Sequence, residues 1–248
     1  MSENHRTLLQ KFTCIANASS LALLAYLSLH ILIDPVGFEP HLAKDSPYGA
    51  GAMEELTWIF LLIGILTTLI GMIRRYRNGN KLPDRWILAW LIFWMLGSFY
   101  FAGEEVSWGQ WWFGWDTPEF WEQLNYQQET NLHNTSSWFN QKPRALVEIY
   151  LILGGFLLPL YHWRTQKKLF HKNPLKTWEP WVIAPTALIG AGLLFLVSRL
   201  SSWLPLGAYA DHMGNGEMRE FCTAWFLMWY LISFPLRLRT PRDMTDPT

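Results

Sequence analysis

Residues 56–73 read LTWIFLLIGILTTLIGMI, an uncharged apolar stretch that decides the fold class. A bilayer core about 30 Å thick needs roughly 20 apolar residues in a helix, and this stretch comes close to that length. Five further stretches share its character and, apart from Glu148, contain no Lys, Arg, Asp or Glu. The six predicted membrane-spanning segments are 13–33, 56–73, 86–103, 145–161, 181–198 and 221–236.

The composition agrees with a membrane protein. Half of the 248 residues are hydrophobic and only 16% are charged, whereas a soluble domain carries about 25% charged residues. We therefore predict an all-α, polytopic bundle that forms a single integral membrane domain over residues 1–248. The first segment is not expected to be a cleaved signal peptide, because Ala16-Asn17-Ala18 precedes its apolar run. Pro185 predicts a bend in the fifth span.

The charges predict the orientation. Cytoplasmic loops collect Lys and Arg, and most basic residues fall on the side that holds both termini and the second and fourth loops. That side is therefore expected to be the cytoplasm, and residues 104–144, between the third and fourth spans, are expected to form a structured outward-facing loop. Cys14 and Cys222 would lie at opposite membrane faces, too far apart for a disulfide. The basic residues in question are Arg6, Lys11, Arg74, Arg75, Arg77, Lys81, Arg85, Arg164, Lys167, Lys168, Lys172, Lys176, Arg237, Arg239 and Arg242.

The outer loop begins with a polar motif at the end of the third span. It runs Glu104-Glu105-Val106-Ser107-Trp108-Gly109-Gln110. If the helix continues, one face holds residues at i, i+3, i+4 and i+7 spacing, namely Glu104, Ser107, Trp108 and Trp111. An acid and Ser107 could then face a common pocket; the alternative is a charged stop that positions the helix.

An aromatic run follows this motif. Its tryptophans are typical of a membrane interface, and the alternative is a platform for a sugar or a lipid headgroup. Thr117-Pro118 predicts the start of a short helix that lies in the interface plane.

A second polar motif has an alternating pattern. In an extended segment, alternate side chains point the same way, so its carboxamides, carboxylate and imidazole would line one face. A helical conformation would scatter them instead. The residues are Asn125, Gln127, Glu129, Asn131 and His133, followed by Asn134.

The two motifs, EExSWGQ at 104–110 and NxQxExNLHN at 125–134, resemble a motif pair in a family of bacterial integral membrane proteins of unknown function. The resemblance covers about an eighth of the chain. It implies a bacterial inner-membrane protein and carries over no activity.

Further polar residues are expected near the same membrane face. His30 and Asp34 are four residues apart on a helix and can touch. Glu148 should face the bundle interior and pair with Arg144 or Arg199. Asp211 and His212 lie in the last outer loop, while Glu217 and Glu220 open the sixth helix, where acids favour the helix dipole.

Three hypotheses for function follow. The first is an outward-facing hydrolase or transferase of the membrane boundary that acts on a lipid or lipid-linked substrate. Glu105 or Glu104 would be the base, His133 its partner, and Ser107 a substrate contact or nucleophile. A divalent metal could be held by Glu105, Glu129 and His133. The other residues of the two motifs would contact the substrate, namely Trp108, Gln110, Asn125, Gln127, Asn131 and Asn134, while Glu148, Asp211, His212 and His30 would support the site.

The second hypothesis is a non-catalytic membrane subunit or receptor whose outer loop binds a partner protein or a glycan. A transporter is disfavoured, because only His30 and Glu148 are ionisable within the spans. Membrane lipids are expected partners, and nucleic acid is not.

The orientation can be tested with reporter fusions. We expect fusions after residues 45, 125 and 212 to report the periplasm, and those after 80, 170 and the C-terminus to report the cytoplasm. A cytoplasmic signal at residue 125 would move the polar motifs to the basic side and refute the proposed outward-facing site.

Overall fold

A computed structural model describes residues 3–42, 51–80, 82, 85–124, 130, 132, 137–165 and 179–238. Every regular element in these ranges is helical, which confirms the all-α prediction. Five helices are long and apolar enough to cross a membrane: α1, α3, α4, α12 and the continuous helix Lys142–Thr165. The helices are α1 (Glu3–Ile33), α2 (Pro35–Phe38), α3 (Ala52–Arg77), α4 (Arg85–Glu105), α5 (Gln110–Phe113), α6 (Glu119–Leu124), α7 (Ser137–Tyr150), α8 (Leu158–Thr165), α9 (Glu179–Val182), α10 (Ile189–Ser201), α11 (Ala208–Met213) and α12 (Gly216–Leu238), and a π-helical stretch, Leu151–Leu157, joins α7 to α8.

Helix α12 lies at the centre of the bundle. Its most apolar stretch is 61% buried, against 22–28% for the other four long helices. It packs chiefly along α3, where Gly64 faces the backbone of Met228 and the Thr68 hydroxyl donates to the Leu231 carbonyl at 2.9 Å. The other long helices expose large apolar side chains on their outer surfaces, as expected of helices that face lipid. Cys14 and Cys222 are free thiols, as predicted.

The predicted fifth span, 181–198, is interrupted. Helix α9 ends at Val182, residues 183–185 are not helical, and a 3₁₀ turn, Thr186–Leu188, leads into α10. Pro185 causes the break, because it has no N–H and its extended backbone (φ −66°, ψ 156°) cannot continue a helix. The expected bend is therefore wrong, and the apolar helix after the break, Thr186–Ser201, is shorter than the five long helices.

Neighbouring aromatic residues bind the carbonyls that the break exposes. The Tyr150 hydroxyl donates to the Val182 carbonyl at 2.8 Å. The Tyr230 hydroxyl donates to the Trp181 carbonyl at 2.6 Å. Both hydroxyls come from neighbouring helices, and they replace the hydrogen bonds that a continuous helix would have made to these carbonyls.

Two further contacts join the break to other helices. The Ala184 N–H donates to the Gly154 carbonyl at 3.0 Å. That carbonyl is available because its partner in the π-helical register is Pro159, which has no N–H. On the other side, the Asn17 side chain donates to the Thr186 carbonyl at 3.2 Å and accepts from the Gly190 N–H at 2.7 Å.

The close approach of α10 to the π-helical stretch predicts the effect of a single methyl group. A Cβ atom on Gly192 would lie 2.9 Å from the Gly155 carbonyl oxygen. We expect Gly192→Ala to lower the free energy of unfolding by about 1–3 kcal/mol through overpacking. Gly97→Ala is the matched control, because nothing lies within 4 Å of its Cβ and alanine favours a helix. Denaturant titration in detergent measures both, and equal stability of the two variants would contradict the contact.

Candidate functional site

The acidic end of the bundle is the end at which α4 finishes and α12 begins. After Glu105 the chain reverses through three residues with positive φ: Ser107 (45°), Trp108 (55°) and Gly109 (96°). Only glycine adopts this region at little cost, and each other residue stores about 1–3 kcal/mol of strain. Helix α4 therefore ends at Glu105, and the condition for Glu104, Ser107 and Trp108 to share one face of a continuing helix is not met.

Packing of Trp108 explains the reversal. Its ring lies against Gly103, where a Cβ atom would come within 2.7 Å of the ring. Its Nε1 donates to Glu104 Oε1 at 2.8 Å. The folded-back tryptophan covers the end of α4, and Ser107 becomes buried beneath it, at 1% exposure. This burial makes Ser107 an unfavourable nucleophile for an outside substrate.

Glu104 and Gln110 hold the second motif in place. Glu104 is 3% exposed, and its Oε2 accepts the Leu132 N–H at 2.7 Å. Gln110 Oε1 accepts the Thr130 N–H at 2.7 Å, while its Nε2 donates to Thr117 at 2.8 Å. The first motif thus binds the backbone of the second at two alternate residues. This geometry favours a positioning role for Glu104 and Gln110 over the predicted contact with substrate.

Much of the second motif lies outside the described residues. Of the predicted outer loop, the structure describes 104–124, 130, 132 and 137–144. The predictions that name Asn125, Gln127, Glu129, Asn131, His133 and Asn134 fall outside the described residues and stay predictions. Helix α6 begins directly after Pro118, as predicted from Thr117-Pro118.

Glu105 meets two carboxylates from α12. One oxygen from each of Glu105, Glu217 and Glu220 lies within 4.8 Å of the others, and all three residues are half-buried. From the sequence, Glu217 and Glu220 are expected near this membrane face, where they favour the helix dipole. The signal that identifies them is their i, i+3 spacing at the start of the helix that opens at the same end as Glu105.

Glu148 binds three arginines beside these carboxylates. Its predicted partners are both present: Arg144 Nε lies 3.3 Å from Oε1, and Arg199 Nε lies 3.0 Å from Oε2. Arg219 adds a contact at 3.4 Å that sequence analysis missed. Arg144 also pairs with Glu220 at 2.7 Å, which connects Glu148 to the three carboxylates. The charged cluster consists of Glu105, Arg144, Glu148, Arg199, Glu217, Arg219 and Glu220.

Two of the predicted site histidines, His30 and His212, lie elsewhere, around Phe38. The rings of His30 and His212 lie 5.2 and 5.8 Å from the Phe38 ring. The Asp34 side chain accepts from the Gly37 N–H at 2.9 Å and caps α2, rather than serving His30. Asp211 is exposed in α11. Packing of this aromatic group, rather than the charged cluster, accounts for the positions of His30 and His212.

Exposed rings flank the reversed turn. Phe113 and Trp115 are stacked with centroids 6.0 Å apart and an angle of 10° between their planes. Both are exposed, Phe113 at 76%. Phe99 and Tyr100 on α4 each lie 6.1 Å from the Trp108 ring, so an apolar surface of α4 continues up to the turn.

Fold and site together define a class: a polytopic α-helical membrane protein with a cluster of carboxylates and arginines where its helices end. No protein-family model, curated protein or solved structure matches the chain. The resemblance to a bacterial family of unknown function therefore stays a prediction.

The supporting role of Glu104 predicts a loss of stability on substitution. In Glu104→Gln, the amide cannot accept from both Trp108 and the Leu132 N–H. We expect a loss of about 1–3 kcal/mol, the usual consequence of an unsatisfied buried polar group. Glu119→Gln in exposed α6 is the control and should leave the melting temperature unchanged. Limited proteolysis should cut near residue 132 faster in Glu104→Gln alone; unchanged cleavage and melting would refute the supporting role.

Proposed function

We propose that this protein is an outward-facing enzyme of the membrane–water boundary that hydrolyses or transfers a group on a lipid or lipid-linked substrate. The observation that carries the proposal is the convergence of Glu105, from α4, with Glu217 and Glu220, from α12. The three carboxylates come from two helices and converge at a helix end, as the ligands of a binding site do.

The three carboxylates suit a divalent cation. Calcium binds oxygen ligands at 2.3–2.6 Å, so oxygens on opposite sides of the ion lie about 5 Å apart. The 4.8 Å spread of the three oxygens matches this size. Ligands that are all carboxylate favour hard cations such as Ca²⁺, Mg²⁺ or Mn²⁺ over Zn²⁺. Such a cation would polarise an ester or phosphoryl oxygen and lower the pKa of a bound water.

The roles of the motif residues follow from their positions. Glu105 is a ligand or the general base, and Glu104 and Gln110 position the second motif. His133 and Glu129 remain the proposed proton carrier and additional ligand, since they belong to the motif that Glu104 binds through the Leu132 N–H. Ser107 supports the turn from its buried position.

A sixth crossing by the interrupted segment is part of the proposal, because it would put the site on the outer side. At one end the ring of Trp181 stacks on Phe234, 5.7 Å away, and at the other Arg199 joins Arg219 on Glu148. Phe234 and Arg219 are fifteen residues apart on α12, a rise of about 22 Å. The interrupted segment therefore extends along the bundle like a sixth span, which leaves both termini on one side. The basic loops assign that side to the cytoplasm of a bacterial inner membrane.

A lipid-linked substrate agrees with the apolar surface at the end of α4. Phe99, on α4, and Trp108, in the turn that follows it, are both exposed, and their rings lie 6.1 Å apart. Lipid can therefore contact this end of α4.

The alternative function is a receptor or membrane subunit. The exposed stack of Phe113 on Trp115 favours it, because a flat pair of rings can bind a sugar or a partner protein. Under this alternative, Phe113→Ala and Trp115→Ala would abolish function while cation binding persists.

Cation binding tests the proposed enzyme. The purified full chain is stripped with chelator and titrated with Mn²⁺, with free ion followed by electron paramagnetic resonance. We expect Glu105→Gln, Glu217→Gln and Glu220→Gln each to weaken binding by roughly tenfold or more, since affinity follows the number of charged ligands.

Glu122→Gln, an exposed acid in α6, is the matched control and should bind Mn²⁺ as the unsubstituted protein does. The same weak affinity in all five proteins would refute the cation site and with it the proposed enzyme.

A further inference from the structure

Three arginines from three helices converge on one carboxylate. Arg144, from α7, and Arg219, from α12, both contact Glu148 Oε1, at 3.3 and 3.4 Å. Arg199, from α10, contacts Oε2 at 3.0 Å. One arginine suffices to neutralise one glutamate, and every further charge near the membrane costs desolvation energy. Arg144 also pairs with Glu220, so the placement of Arg199 and Arg219 on a carboxylate that already has a partner calls for an explanation.

The net charge of the charged cluster changes sign when a divalent cation binds. Its four glutamates exceed its three arginines by one negative charge. A divalent cation on Glu105, Glu217 and Glu220 reverses that sign and leaves one excess positive charge. An anion beside the cation then restores the balance. The arginines stand in the right place for it, because Arg144 contacts Glu220 at 2.7 Å.

Arg219 differs from Arg144 in its hydrogen bonding. Arg144 uses all three nitrogens, on Glu148, Glu220 and the Gly216 carbonyl. By contrast, Arg219 Nε is buried and has no hydrogen-bond partner in the part of the chain that the structure describes. A buried donor of this kind costs energy until a ligand or water accepts from it.

We infer that Arg144, Arg199 and Arg219 bind a phosphate group of the substrate, which bridges these guanidinium groups and the cation on Glu105, Glu217 and Glu220. The inference rests on the proposed function and names the substrate class for that site: a phosphate ester. Arginine donors are arranged to match phosphate oxygens, and paired arginines and divalent cations stabilise charge on phosphoryl groups.

A purely structural interpretation is the competitor. The same ion pairs would lock the ends of α7, α10 and α12 together without any ligand. The two interpretations differ in one property: an anion site gains phosphate affinity when the cation binds, whereas a structural lock binds no phosphate in either state.

Phosphate binding to the full chain in a phosphate-free detergent tests the inference. Inorganic phosphate is titrated with and without Mg²⁺, and tryptophan fluorescence is the readout. We expect binding that Mg²⁺ strengthens at least tenfold. Arg219→Gln should weaken phosphate binding at least tenfold while Mg²⁺ binding is retained, and Arg219→Lys, which keeps the charge, should restore part of it. Arg85→Gln, an exposed arginine at the opposite end of the bundle, is the control and should change neither affinity.

The outcomes separate the two proposals. Retained Mg²⁺ binding with no phosphate binding overturns the phosphate site and leaves the cation site standing. Phosphate binding without any Mg²⁺ binding supports the arginine site and overturns the cation. If Arg219→Gln fails to fold, Arg219→Lys and the Mg²⁺ dependence of the unsubstituted protein decide.

The source of the phosphate is decided in nanodiscs. Inorganic phosphate is competed against phosphatidic acid, with phosphatidylcholine as the matched lipid. Competition by phosphatidic acid alone supports a lipid phosphate ester. Phosphate binding without competition by either lipid supports the anion site with a soluble phosphate ester and overturns the lipid-linked substrate.

Discussion

A backbone carbonyl inside a bilayer has no water to bind, and the break at Pro185 leaves the carbonyls of Trp181 and Val182 without helical partners. Tyr150 and Tyr230 supply those partners from two other helices. An unsatisfied group at this depth would cost several kcal/mol. The packing of the interrupted segment against its neighbours therefore depends on these hydroxyls. Because Arg199 lies in the helix that follows the break, its position at the acidic end depends on them too.

Different interactions stabilise the two ends of the bundle. Near the break, aromatic rings and hydroxyls form a buried layer that includes Trp90, whose Nε1 donates to the Tyr230 hydroxyl at 2.9 Å. The Arg237 guanidinium closes this layer, 4.8 Å from the centre of the Trp181 ring. At the acidic end, ion pairs connect α7, α10 and α12. Ion pairs at the membrane boundary are partly hydrated, so they can exchange partners with a cation or an anion, whereas the buried layer cannot. This division keeps the scaffold rigid while the charged cluster stays available for chemistry.

The reversed turn connects the scaffold to the cluster. Strain at Ser107 and Trp108 persists because the Trp108 ring, its bond to Glu104 and the close fit on Gly103 outweigh it. The turn stops α4 at Glu105, which leaves that carboxylate at the helix end, and sends Gln110 back to bind the second motif.

The sequence by itself determined the class of fold, since the length and polarity of apolar stretches are local properties that a bilayer selects directly. It also determined that Glu148 needs an arginine, because a single acid in a span must be paired. Only the tertiary structure decided that Pro185 breaks rather than bends its helix, since the outcome depends on hydroxyls from Tyr150 and Tyr230. Likewise, the meeting of Glu105 with Glu217 and Glu220, which lie more than a hundred residues away, is decided by how α4 packs beside α12. The spacing of residues in a sequence predicts which side chains are neighbours within one helix. It does not predict contacts between residues that are more than a hundred positions apart.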